Sequence, residues 1–363
     1  MQINRRLLLG FDWFWFVSLL ALSGLGLLAI WSTTDGTNLD SYFGRQFMYF
    51  CMALLLFLIL LYFDYHLYSD NILLAYAAGF LLLVLVLIVG RNVNNSKSWL
   101  GIGSFAFQPS EFVKILVVIA LAKYYSESDH DTLQPRELLV GGALVVAPMI
   151  LVILQRDLGT AITFLPIYLI LSYLGGIKKK YLLIITIIIA MAAPFGWMML
   201  RDYQKGRIKT VLNPSEDPRG LGYQTIQSEI AIGSGKFLGK GLKRGTQAQL
   251  GFLPARHTDF VFAVLAEETG FVGGIAVILL FLMLTIRMLR AACEAKDKIG
   301  MMIIAGVLGL LLFHVAVNIG MVLGQIPVAG IPLPFVSAGG SSLISCFAAM
   351  AIGMNINMRR FVN

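Results

Sequence analysis

The sequence predicts an all-α, polytopic integral membrane protein with about ten transmembrane helices and a large extracytoplasmic loop between the seventh and the eighth. Three observations lead there. Of the 363 residues 58% are hydrophobic and only 13% charged, well outside the roughly 45–50% apolar and about 25% charged of soluble domains. Apolar runs recur at lengths near the roughly 20 residues that a bilayer-crossing helix needs. One internal stretch, 201–259, is instead polar, basic and rich in glycine. A soluble enzyme is excluded. The chain reads as one integral membrane domain, 1–363, with 201–259 as a loop within it.

The runs fall near 11–31, 46–63, 71–90, 110–125, 138–154, 158–175, 181–200, 260–286, 300–323 and 336–356. The first follows a short basic segment, Met1 to Gly10, and no A-x-A-like cleavage site precedes the second, so it reads as a retained span and not as a signal peptide. The second and third are joined by the turn Asp64 to Asp70. The fourth opens on Glu111 and Lys114, the sixth on Asp157 and the eighth on Asp259, while Lys178 to Lys180 lead into the seventh and Arg359 and Arg360 follow the tenth. Cys51, Cys293 and Cys346 lie in or beside hydrophobic runs without metal-ligand spacing, which predicts neither a disulfide nor zinc.

Basic residues near span ends resist translocation, so their distribution sets the orientation. With a cytoplasmic N-terminus the inner segments hold thirteen: Arg5, Arg6, Lys123, Arg136, Lys178 to Lys180, Arg287, Arg290, Lys296, Lys298, Arg359 and Arg360. The short outer loops hold Arg45, Arg91, Lys97 and Arg156. Both termini are therefore expected in the cytoplasm. The net charge of +8 is explained by topology and anionic lipid, and no nucleic-acid partner is expected.

The loop 201–259 lands outside and carries ten basic residues. Long loops cross regardless of charge, and a loop of this length is more often functional than not. Within it, Ile226 and Ile230 at i and i+4 of Tyr223 to Ile232 fit a short amphipathic helix on the membrane surface. Gly233 to Lys236 resembles part of a phosphate loop, but Phe237 stands at the Ser/Thr position and Ile230 where the first glycine belongs, so no nucleotide cofactor is supported. Glycine-rich backbone with Arg207, Lys236, Lys240, Lys243 and Arg244 can grip a diphosphate; the alternative is a solvated basic loop touching lipid headgroups.

Charges in apolar spans are costly and mark either a paired structural element or a site. Glu111 and Lys114, at i and i+3, share a helical face and can pair. Asp157 reads as an N-cap or as a site residue. Asp259 follows Arg256, His257 and Thr258 and reads as a cap or as a catalytic carboxylate. Glu267, Glu268, His314 and Asn318 read as interhelical hydrogen-bonding groups. With the expected topology Glu111, Lys114, Asp157 and Asp259 converge on the outer face with the basic loop.

Several motifs lie in order along nearly the whole chain. They are Gln108-Pro109-Ser110-Glu111 with Lys114, the stretch Tyr223 to Gly241, Gly245-Thr246-Gln247, Leu253-Pro254 with His257-Thr258-Asp259-Phe260, and Pro332 to Ser341. Together they resemble the SEDS (shape, elongation, division and sporulation) family, and the Gly-Thr-Gln-Ala-Gln run is more similar to elongation members than to division paralogues. The resemblance implies a peptidoglycan glycosyltransferase in the bacterial cytoplasmic membrane. It would polymerise lipid II at the outer face beside a class B penicillin-binding protein. The resemblance also implies that Asp259 is catalytic, that Glu111 and Lys114 are the family's intramembrane pair and that Asp157 is a family polar position. Arg156 stands where the family has proline, Lys236 where it has glycine, Ala255 where an acid is common and Ala338 where it has tyrosine.

The chemistry expected of such a site is proton removal from an acceptor sugar hydroxyl by Asp259, with inversion at the donor carbon. Loop cations or a divalent ion such as Mg or Mn would stabilise the leaving diphosphate. The expected substrate-binding set is Lys114, Glu111, Asp157, Arg207, Lys236, Lys240, Arg244, His257 and Thr258, and the metal ligands are unknown. A lipid transporter or flippase and a noncatalytic scaffold for the transpeptidase are the rival readings.

Overall fold

A computed structural model describes residues 10–360 apart from 35, 39, 40, 94, 95, 103, 104, 129, 131, 200, 201 and 213–220. The basic N-terminal segment 1–9 and part of the long loop thus lie outside the described residues. The helices are α1 (Trp13–Ser32), α2 (Tyr42–Tyr62), α3 (Tyr65–Asp70), α4 (Ile72–Val89), α5 (Pro109–Ser126), α6 (Pro135–Leu154), α7 (Leu158–Ile162), α8 (Phe164–Leu174), α9 (Lys179–Met199), α10 (Asp202–Leu212), α11 (Leu221–Gly235), α12 (Thr246–Gln249), α13 (Val261–Cys293), α14 (Lys298–Val322) and α15 (Gly340–Arg359). Every apolar run falls on a helix, the sixth on the consecutive α7 and α8. Among the described residues seven helices are long and apolar enough to cross a membrane: α1, α2, α4, α6, α13, α14 and α15. The segment Leu158–Leu174 is apolar but shorter.

Local chemistry sets where these helices start. Asp12, Ser41, Asp64, Asp157 and Asp297 cap α1, α2, α3, α7 and α14 by accepting hydrogen bonds from first-turn amides, which satisfies donors that have no partner inside the helix. Proline occupies the first turn of α5 and α6, where its missing N–H costs nothing. α6 also carries a capping box between Gln134 and Glu137, in which each side chain meets the other's backbone.

Packing separates the helices into a centre and a rim. α5 and α15 are buried on nearly every side, whereas α4 and α6 expose Leu74 and Leu139 at 76% and 74%. Large apolar side chains turned outward this consistently suit hydrocarbon and not water. Small residues let backbones approach. A Cβ on Gly26 of α1 would stand 2.6 Å from the Val336 Cα, so α1 lies directly against the turn that leads into α15.

Three expectations are corrected. The segment 91–107 is not plain loop: β1 (Arg91–Val93), β2 (Ser96–Ile102) and β3 (Phe105–Phe107) form a small antiparallel sheet in that order, with Leu100 opposite Phe107 and Ile102 opposite Phe105. The long loop is largely helical. In α11 the face turned inward is Gly222, Thr225, Ser228, Ala231 and Gly235, while Ile230 is exposed. Small side chains allow α11 to lie against α13, and Ser228 Oγ donates to the Val322 carbonyl at 2.7 Å, so the helix rests on the bundle through that face and not through Ile226 and Ile230. The eighth span is not one rod either. Gly270 breaks α13 with φ 70 and ψ −164, separating a buried half with Glu267 and Glu268 from 271–293, whose length of roughly 35 Å suits a bilayer.

The Gly26 contact is directly testable. Gly26→Ala should destabilise the detergent-solubilised protein by about 1–3 kcal/mol, the usual cost of overpacking. Gly24→Ala on the same helix, where a Cβ meets nothing within 4 Å, should leave the melting temperature unchanged.

Candidate functional site

Asp259 lies in the turn between Leu253 and α13, with Leu253 and Phe260 buried beneath it. Three consecutive carbonyls of this turn are held by elements from the C-terminal third of the chain. The His257 carbonyl accepts from the Ala338 amide at 2.8 Å, that of Thr258 from Ser337 Oγ at 2.6 Å and that of Asp259 from Asn318 Nδ2 at 3.1 Å. Asn318 Nδ2 also donates to the Ile331 carbonyl at 2.9 Å, and Ser337 Oγ accepts from the Leu333 amide. The sequence showed Asn318 only as a polar group inside a span. The structure gives it the task of fixing the Asp259 backbone.

Arg207 reaches this turn from α10. Its Nη1 donates to the Val328 carbonyl at 3.0 Å, and its charge acts on Asp259. Desolvation raises the Asp259 pKa above the ordinary carboxylate value, opposed by the Thr258 hydroxyl and by Arg207. Asp259 as a residue is half-buried. His257 is a packing group: its ring stacks on Tyr42 with centroids 4.6 Å apart, and Nδ1 meets Thr33 Oγ1 at 2.9 Å. Burial and neighbouring Arg256 lower its pKa to about 4, so at neutral pH it offers no positive charge to a phosphate.

Glu111 and Lys114 form the expected pair on α5, 2.9 Å apart and each about 4% exposed. Lys114 Nζ also donates to His314 Nε2 at 3.3 Å, and Ser345 Oγ donates to Glu111. The pair borders a small cavity of about 40 Å³, shared with His314, Pro334 and Cys346, which is enough for ordered water. Asp157 both caps α7, accepting from the Thr160 amide at 3.1 Å, and accepts from Gln108 Nε2 at 2.8 Å. Its two sequence readings are therefore compatible. Burial raises its pKa, the Thr160 hydrogen bonds oppose that, and the charges of Glu111 and Lys114 reach it. His314 and Asn318, one turn apart on α14, join the Glu111–Lys114 pair to the Asp259 turn.

The basic loop is bound to the bundle by two acids. Glu267, fully buried, accepts from Lys240 Nζ at 2.7 Å, from Thr246 Oγ1 and from the amides of Gln247 and Ala248. Glu268 accepts from Ser32 Oγ and from the Lys243 amide. These glutamates hydrogen-bond between helices, as the sequence suggests, α13 to the end of α1 through Ser32 and to the short α12, and they anchor the basic loop as well. Lys240 is consequently engaged, and Lys243 lies over the Trp31 ring at 3.9 Å. Lys236 and Arg244 remain exposed on this loop. Of the expected cations, Arg207 is the one whose charge the structure brings to Asp259.

Two family departures have geometric consequences. Lys236 has φ 50, a left-handed position that favours the glycine of the resemblance. Arg156 has φ 66, a left-handed conformation that proline cannot adopt. Among the described residues no three His, Cys, Asp or Glu side chains gather to hold a metal ion. The described residues therefore do not form a protein-built divalent site.

The helical bundle, with a carboxylate and a guanidinium at one end and a buried ion pair behind them, defines a multi-pass membrane protein with its polar groups gathered about one turn. The chain belongs to the FtsW/RodA/SpoVE cell cycle protein family, whose profile matches residues 12–361. It is 39% identical to the peptidoglycan glycosyltransferase MrdB of Escherichia coli (strain K12) over 94% of this chain and 92% of that one. It is 33% identical to the peptidoglycan glycosyltransferase RodA of Treponema pallidum (strain Nichols), covering 96% and 98%. Among solved structures it resembles a chain from a study of the structural coordination of polymerization and crosslinking by a peptidoglycan synthase complex. That match has a TM-score of 0.84 and 32% identity and covers 97% of this chain and 99% of the other. The rod shape determining protein RodA of Thermus thermophilus matches with a TM-score of 0.74 and 28% identity, covering 97% and 98%.

The buried ion pair yields a stability prediction. Lys114→Met should cost about 3–5 kcal/mol by leaving Glu111 charged without its partner. The double variant Lys114→Met/Glu111→Leu should recover most of that loss in chemical denaturation of the solubilised protein.

Proposed function

We propose that this chain is a peptidoglycan glycosyltransferase of the bacterial cytoplasmic membrane that polymerises lipid II during cell elongation. The observation that carries the reading is Asp259: a carboxylate of raised pKa in a half-buried residue, fixed through its own backbone and within reach of the Arg207 charge. The relatives' names supply the reaction class, and the counting of basic residues supplies the side. Both termini lie in the cytoplasm and the site faces outward. The substrate accordingly arrives activated on a lipid, and the exposed apolar rim suits its polyprenyl chain.

Asp259 takes the proton from the acceptor sugar hydroxyl as that oxygen bonds to the donor's anomeric carbon. The bond from that carbon to the diphosphate breaks, and the electron pair departs with the lipid diphosphate. Attack opposite the leaving group inverts the centre. A carboxylate of raised proton affinity is the better base, and general base catalysis is worth roughly 10²- to 10⁴-fold. Arg207 stabilises the departing charge, with Lys236 and Arg244 available on the loop. A divalent ion held by the diphosphate itself would supply further positive charge there. A class B penicillin-binding protein acts beside it as transpeptidase, a partnership supported by the likeness to the synthase-complex chain.

Purified Asp259→Asn protein should keep its melting temperature and partner binding but lose glycan polymerisation from labelled lipid II by at least about 10²-fold. Wild-type polymer lengths from that variant would reject the proposal, and lipid movement between leaflets without polymer would favour a transporter. The base must be ionised, so the rate should fall as pH drops through the raised Asp259 pKa. Because Arg207 lowers that pKa, Arg207→Gln should move the acidic limb of the pH–rate profile to higher pH. A limb that stays in place would dissociate Arg207 from the base.

A further inference from the structure

Four consecutive residues after α14, Val328 to Ile331, each meet a different part of the site. The Val328 carbonyl accepts from Arg207 and that of Ile331 from Asn318. The Ala329 carbonyl lies against the Asp157 elbow so closely that a Cβ on Gly159 would stand 2.2 Å from its oxygen. Between them Gly330 is exposed, with φ +67, and a Cβ built on it would lie 3.9 Å from Asp259 Oδ2. Val328 and Ile331 are buried, so the segment is a strap fixed at both ends with its bare backbone beside the carboxylate.

We infer that Gly330 is the acceptor-facing position of this site: its missing side chain keeps the approach to Asp259 Oδ2 clear for an incoming sugar hydroxyl. The inference rests on the general-base reading of Asp259. A first carbon at 3.9 Å is in ordinary contact, and atoms beyond it have to pass over or beside the carboxylate. The strap presents only peptide backbone there, which suits the uncharged edge of a sugar ring, while Arg207, bound two residues earlier, serves the diphosphate. Gly330 is thus a positioning residue that governs access and takes no part in proton transfer. Two demands fall on it, a left-handed backbone and an empty side, and they can be separated because asparagine tolerates the first but not the second.

The test is steady-state polymerisation of lipid II by Gly330→Ser, Gly330→Asn and Gly330→Gln, each as the full chain with its transpeptidase partner. Gly251→Asn is the control, since Gly251 has φ +74 and a Cβ there meets nothing within 4 Å. The KM for lipid II should climb in the order Ser, Asn, Gln to at least about tenfold, with kcat changed by less than about threefold, as expected when binding and not chemistry is obstructed. Gly251→Asn should match wild type, Gly330→Asn should keep its melting temperature, and Gly330→Ser and Gly330→Gln should both melt slightly lower for the left-handed backbone, in an order unrelated to their KM. Unchanged KM in Gly330→Gln, or losses that follow falling melting temperature, would overturn the inference. Assayed alongside, Asp259→Asn separates the two claims. If it is inactive while Gly330→Gln behaves as wild type, only the role of Gly330 falls; if it polymerises normally, the general-base reading fails and the role of Gly330 fails with it.

Discussion

The site depends on the hydrogen bonds that hold the backbone of His257, Thr258 and Asp259. A carboxylate at the end of a turn is only as well aimed as the turn itself, and here three successive carbonyls are each taken by a donor from α14 or from the turn before α15. Two of the donors are side chains, Asn318 and Ser337, both buried. In such surroundings a missing partner costs more than a formed bond gains, which favours one arrangement of the turn over its neighbours. Catalytic geometry requires that kind of preorganisation.

The same economy of paired polar groups runs through the rest of the bundle. Lys114 bridges Glu111 and His314, and Asn318 lies one turn from His314, so a single helix joins the buried ion pair to the Asp259 turn. Glu267 and Glu268 hold the basic loop at the break in α13. Part of the positive charge that composition assigns to the loop is thereby engaged in structure: Lys240 on a carboxylate, Lys243 on the face of Trp31. Arg207 retains the position from which its charge can matter to Asp259.

Much of this was legible in the sequence. Apolar runs of bilayer length located every long helix, because the bilayer leaves the backbone few other solutions. The i, i+3 spacing of Glu111 and Lys114 announced their pairing, and the gathering of acids at helix starts marked Asp157 and Asp259. Other features leave little trace in residue order. The three-stranded sheet at 91–107 is short and shared between a few cross-strand pairs, and the inner face of α11 is chosen by small residues, Gly222 to Gly235, that a search for apolar periodicity passes over. The strap at Val328 to Ile331 acts through carbonyl oxygens, which every residue type possesses. The glutamates at 267 and 268 were visible as buried charges, but their partners lie in the preceding loop and, for Glu268, at Ser32 on the far end of the chain, a meeting the sequence does not encode locally.

The most direct measurement is a structure of inactive Asp259→Asn protein with lipid II bound. The account predicts an acceptor hydroxyl within about 3.2 Å of residue 259, the reach of a general base, with the diphosphate on the Arg207 side. Saccharide bound instead against the opposite end of the bundle, out of reach of residue 259, would contradict it.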